Sequence, residues 1–228
     1  ILAAIIIPVV GKVRQTSLKA QAISRLHQVG VAILTYRVEH RDRVPGPGGV
    51  SQNWRYGRAT EDCDKDGRRL QLAPAIGPYM SYPDRSTLAA GRYARVKELQ
   101  NPGFMRLFPG QEQGKETIKP NYIQNAYLRR EGKTRLYVLG WYDAARDKLV
   151  QPPFTEADTA EFGGPSRVWI LTELDLCLKD DNPAFTDLGY SADWYQEGMI
   201  PSGPVWGDTR NRLYFDGHVA SVPRNAGL

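Results

Sequence analysis

The first ten residues, Ile1 to Val10, are all apolar, and a different pattern follows. Leu18, Ala22, Leu26, Val29, Ile33 and Tyr36 recur at intervals of four, four, three, four and three, which lays one apolar stripe along an α-helix. Lys12, Gln15, Lys19, Arg25 and Gln28 fall mostly off that stripe, and Val44-Pro45-Gly46-Pro47-Gly48 is a firm stop. One helix from Ile1 to Arg43 would be roughly 60 Å long. A head built from the remaining residues cannot bury all of it. The stripe is therefore expected to pack on the head, leaving Ile1, Leu2, Ile5, Ile6, Ile7, Pro8, Val9, Val10 and Val13 to project. Such a tip needs a bilayer or a bundle of like helices to cover it. Ten residues span about 15 Å, near half a bilayer core, so this run does not cross a membrane unaided. Pro8 deletes one helix hydrogen bond and invites a kink, costing up to about 3 kcal/mol in a helix interior. The competing reading is a kinked helix within an ordinary core.

After Val44 the pattern changes to short runs separated by glycine and proline. Thr134 to Tyr142, Lys148 to Gln151 and Ser166 to Leu176 read as strands. Asn211 to Phe215 and His218 to Val222 flank Asp216-Gly217, a two-residue hairpin signal because both residues tolerate positive φ. The expected fold is α+β: a stalk helix over residues 1–43, with an apolar tip (1–10) and a basic amphipathic part (11–43), packed on a small antiparallel β-rich head over 44–228 with long irregular loops.

Composition adds one point of consequence. The 228 residues carry a formal charge of +5, and between Gly11 and Arg43 seven cations face two anions, so the whole excess lies on the stalk. A solvated helix face explains that run; pairing with neighbouring subunits, anionic lipid or nucleic acid would also use it.

Candidate chemistry is sparse. Asp62, Asp64 and Asp66, followed by Gly67, reproduce the opening of an EF-hand loop, although the twelfth position is Ala73 and not a bidentate glutamate. No cofactor is required by any motif; Ca²⁺ is the ion such a loop would take, and an acidic surface turn is the plainer reading. Cys63 and Cys177 form no CxxC and could pair only if their α-carbons approach in an oxidising compartment. Three histidines, no Gly-x-Ser-x-Gly elbow and no phosphate loop leave an enzyme without support. Glu173, Asp175 and Asp216 are carboxylates that could converge in space.

The segment from Ile1 to Pro45 resembles the helix that follows the processing site of type IV pilins and type II secretion pseudopilins. Phe215 to Val219 (Phe-Asp-Gly-His-Val) resembles the end of many such heads, and Asn121 to Leu128 resembles a Ser-Tyr-Gly-Met-Asn-Ala-Tyr segment of the family. The resemblance implies a subunit that waits in the inner membrane, is handled by a pilus or secretion assembly machinery, and polymerises with copies of itself into a periplasmic or extracellular filament. It also implies apolar residues upstream of Ile1, with a methylated phenylalanine and a glutamate, so the chain is expected to be a processed or truncated product. Departures are specific. Trp206 stands where the family has a histidine, and Arg25 and Asn101 stand where relatives commonly carry cysteines. A minor pilin that binds DNA or a surface through its basic stalk is the alternative.

Overall fold

The computed structural model describes residues 2–49, 51–52, 54–57, 71–89, 93–109, 120–126, 128–129, 135–143, 148–178, 195 and 198–226; for residues 2–8 it describes the backbone alone. The chain is a mixed α+β protein with a long N-terminal helix and an antiparallel sheet of five strands.

Helix α1 runs from Leu2 to Glu39, continuous through Pro8. It ends four residues before the boundary read from the sequence, and the backbone shows why. Arg41 and Asp42 adopt left-handed conformations (φ 54° and 63°), and the Asp42 N–H reaches back to the Arg37 carbonyl at 2.9 Å, the six-to-one bond of a Schellman end. The Asp42 carboxylate then returns to the Arg37 guanidinium, accepting from Nε at 2.9 Å.

Among the described residues eleven strands follow in the order β1 (Ser51–Gln52), β2 (Arg55–Gly57), β3 (Tyr93–Arg95), β4 (Tyr122–Gln124), β5 (Leu128–Arg129), β6 (Arg135–Leu136), β7 (Trp141–Asp143), β8 (Lys148–Gln151), β9 (Trp169–Glu173), β10 (Thr209–Tyr214) and β11 (Val219–Pro223). The main sheet has the order β1-β4-β9-β10-β11, so the chain lays it down from one edge to the other. β2 pairs with β3, β5 with β6 and β7 with β8 as separate ribbons. Two short helices join them: α2 (Leu72–Ile76) and α3 (Pro102–Leu107). Asn101 caps α3, its side chain accepting from the N–H groups of Gly103 and Phe104, with Pro102 placed where no N–H is needed.

Two strand expectations change. The run Thr134 to Tyr142 is not one strand: it breaks into β6 and β7 around a turn at Gly140 (φ 73°), and the Gln151 amide bonds both backbone groups of Tyr137 within that break. The β10–β11 connection is not a two-residue turn. Tyr214 pairs with His218 (N–H to carbonyl, 2.9 Å), leaving Phe215, Asp216 and Gly217 in the loop, and only Gly217 takes positive φ, at 86°. That is the three-residue hairpin with a left-handed third position. Phe215 is held out of the ladder by its own N–H, which donates to the Val168 carbonyl at 2.8 Å, and by burial of its ring.

The main core gathers Leu26, Val29, Ala32 and Ile33 of α1 with Tyr122, Leu171, Leu213 and Phe215 around the sheet. Full burial of a leucine, valine or isoleucine stabilises by about 1.5–3 kcal/mol each, so this seam holds the helix to the head. A second cluster forms around Ile123 and Trp169, with Phe104, Leu174, Leu178, Tyr195 and Ile200.

Candidate functional site

The helix divides into two halves of unlike surroundings. Ala22, Leu26, Val29 and Ile33 are buried, while Leu18 and Tyr36 at the two ends of the stripe are half-buried. Residues 9–17 are exposed throughout; Val9, Val10 and Val13 keep 54%, 58% and 64% of their surface in solvent. Among the described residues, no helix is long and apolar enough to cross a membrane.

At Gly30 helix α1 comes close to strand β10 and the hairpin turn that follows it. A Cβ there would stand 2.8 Å from Leu213 Cδ1 and 2.9 Å from the Gly217 carbonyl, and one on Gly217 would meet Leu34 Cδ1 at 2.8 Å. The hairpin turn therefore rests directly on the helix, and neither glycine belonged to the apolar stripe that the sequence displayed. The signal of Gly30 was an isolated glycine inside a helical pattern, and that of Gly217 was the Asp-Gly turn.

Three of the stalk charges are turned to the head. Lys19 Nζ donates to Thr209 Oγ1 at 2.9 Å, Arg25 Nη1 donates to the Gln100 carbonyl at 2.8 Å, and Arg37 is buried. Arg37 binds Asp42 and Glu156 (2.8 Å), donates to the Phe215 carbonyl at 3.2 Å and lies 4.4 Å above the Phe215 ring. The opposite face of the helix is left without charge: Ser17, Gln21, Ser24, Gln28, Val31, Thr35 and Val38 are all exposed along one line.

The three carboxylates do not converge. Asp175 makes a bidentate pair with Arg210 at 2.6 and 2.9 Å, and Asp216 holds His218 Nδ1 at 2.6 Å. Glu173 is the centre of a buried cluster. Its Oε1 accepts from Asn101 Nδ2 (2.8 Å), Trp206 Nε1 (2.7 Å) and Asn211 Nδ2 (2.9 Å), and its Oε2 from the Asn211 N–H (2.8 Å). Burial pushes its carboxyl up to about 7, with the four donors pulling the other way. The cluster ties the start of α3, strand β9 and strand β10 together, and its saturation by donors suits an anchor, since no hydrogen-bonding capacity is turned to a ligand. The Trp206 ring lies against Gly103, where a Cβ would fall 2.6 Å from the indole. The role of Trp206 was not readable beforehand, because Glu173 lies 33 residues away.

Arg25 and Asn101, distant in sequence, come together: Arg25 bonds the carbonyl of Gln100, the residue before Asn101. Cys177 Sγ donates to the Ser202 carbonyl at 3.2 Å. Cys63, Asp62, Asp64 and Asp66, and with them the candidate disulfide and the candidate calcium loop, lie outside the described residues, as does Ile1; among the described residues no group of three metal-ligating side chains forms. Leu2, Ile5, Ile6, Ile7 and Pro8 are placed within α1 by their backbone. No family model, curated protein or solved structure matches the chain.

Proposed function

We propose that the chain is a non-enzymatic structural subunit of a helical filament of the type IV pilus or type II secretion pseudopilus kind. Before assembly its apolar tip sits in the inner membrane; an assembly machinery then adds it to a periplasmic or extracellular filament of its own copies. The observation that carries the reading is the division of α1, one half anchored in the core by Ala22, Leu26, Val29 and Ile33, the other standing clear of the head with Val9, Val10 and Val13 exposed. Burial of that apolar surface, at about 25 cal/mol per Å², would drive polymerisation. The meeting of Arg25 with the Asn101 segment adds support, because these are the two places where the resembled family carries cysteines.

Ile6→Asp tests the reading. Filaments seen by electron microscopy of cells expressing the chain should disappear, while the head melts as before. Filaments at normal abundance from that variant would refute the mechanism. Binding of DNA by the stalk is the weaker alternative, since Arg25 and Arg37 are engaged by the head. A calcium ion on Asp62, Asp64 and Asp66 would be structural in this reading and not part of assembly.

A further inference from the structure

Residues 1–38 contain no aspartate or glutamate. Two of their cations, Lys12 and Lys19, line an open corner where α1 leaves the head. The corner has a volume of about 310 Å³ and is lined by Lys12, Gln15, Thr16, Lys19 and Trp206. Positions 12, 15, 16 and 19 lie on one face of the helix, beside the line of the buried stripe. Neither lysine has a carboxylate partner among the described residues. Lys19 gives one N–H to Thr209 and keeps two; Lys12 keeps three. The Trp206 N–H is turned inward to Glu173, so the side of the indole on the corner is apolar. Immediately towards the tip, Val9 and Val13 are exposed.

We infer that this corner docks the phosphate of an anionic phospholipid, seating the underside of the head on an anionic membrane surface while the lipid chains run along the tip. The inference rests on the reading of the tip as membrane-seated. Two ammonium groups and the Gln15 amide supply the donors that a phosphodiester needs, and the exposed Val9 and Val13 towards the tip offer apolar surface to the lipid chains. A duplex would need a row of such contacts along its backbone; the corner holds one group.

The test is co-sedimentation of the 228-residue chain with vesicles of phosphatidylcholine alone and of phosphatidylcholine mixed with phosphatidylglycerol. The anionic vesicles should bind it more tightly, and added salt should remove the difference. Lys12→Gln and Lys19→Gln should each lower the partition coefficient on anionic vesicles about fivefold, with little change on neutral ones. Arginine at both positions should restore it, and Lys148→Gln, on a distant ribbon, should leave it unaltered. Equal binding to both vesicle types, or equal losses from Lys148→Gln, would overturn the inference and leave the tip reading intact. Binding to neither vesicle would overturn both. Inorganic phosphate protecting the chain against heat through the same lysines would mark a free-anion site and overturn the lipid assignment. Retention of duplex DNA with loss in the same variants, and no anionic vesicle preference, would do so as well.

Discussion

Gly30→Ala should loosen the stalk from the head, whereas the same change at Gly11 should not. Alanine in a helix interior is favoured over glycine by about 0.8–1.0 kcal/mol, so both substitutions begin with the same gain. At Gly11 nothing lies within 4 Å of the new Cβ. At Gly30 the new methyl would press on Leu213 Cδ1 at 2.8 Å and on the Gly217 carbonyl at 2.9 Å. Leu213 can turn its terminal methyl aside, but the carbonyl belongs to a hairpin turn fixed by Gly217 at φ 86° and cannot. Overpacking of this kind costs typically 1–3 kcal/mol, so the net effect is a loss of about 1 kcal/mol. In a domain of this size that lowers the melting temperature by about 2–4 °C. Urea unfolding followed by tryptophan fluorescence reads the head; far-ultraviolet circular dichroism reads the helix. Gly11→Ala should raise helicity without moving the fluorescence midpoint, because the projecting half need not melt with the core. A Gly30→Ala chain as stable as the parent, or more so, would refute the claim that the hairpin rests on the helix.

Two further outcomes follow from the buried charges. Glu173 binds its proton more tightly folded than unfolded, so between about 4.5 and about 7 the native state holds more protons and its stability falls as pH rises; urea midpoints across that window should show this slope in the parent and lose it in Glu173→Gln. Arg37→Met keeps the packing against Phe215 but leaves the Phe215 carbonyl and two carboxylates without their donor. With Asp42 and Glu156 partly in solvent, the loss should be about 1–3 kcal/mol by calorimetry, and a double variant with Glu156→Gln should cost less than the two changes added.

The helix was legible because its stripe is long and repeats faithfully, and burial follows it residue by residue from Ala22 to Ile33. Its end was harder to place. Asp42 tolerates the left-handed region but Arg41 before it has no such preference, and the turn is held by the clamp of Asp42 on Arg37. Strands β8, β9, β10 and β11 were visible as alternating or β-branched runs. Two-residue strands such as β1 and β5 carry too few positions for any period to appear. The hairpin turn was found in the right place with the wrong count, since Phe215 reads as a strand residue until its ring is seen to serve the core. Glu173 was noticed as a carboxylate, but its partners Asn101, Trp206 and Asn211 are drawn from three separate elements, and no local pattern links them.

The uncharged outer line of α1, from Ser17 to Val38, makes ionic strength a separating variable. Copies packed along that line would bury hydroxyls, amides and methyl groups but no charge, so their cohesion would be nearly indifferent to salt, whereas adhesion through Lys12 and Lys19 would fade as salt rises. A cell that moved such a subunit from membrane to polymer would be moving it from a salt-sensitive hold to a salt-tolerant one.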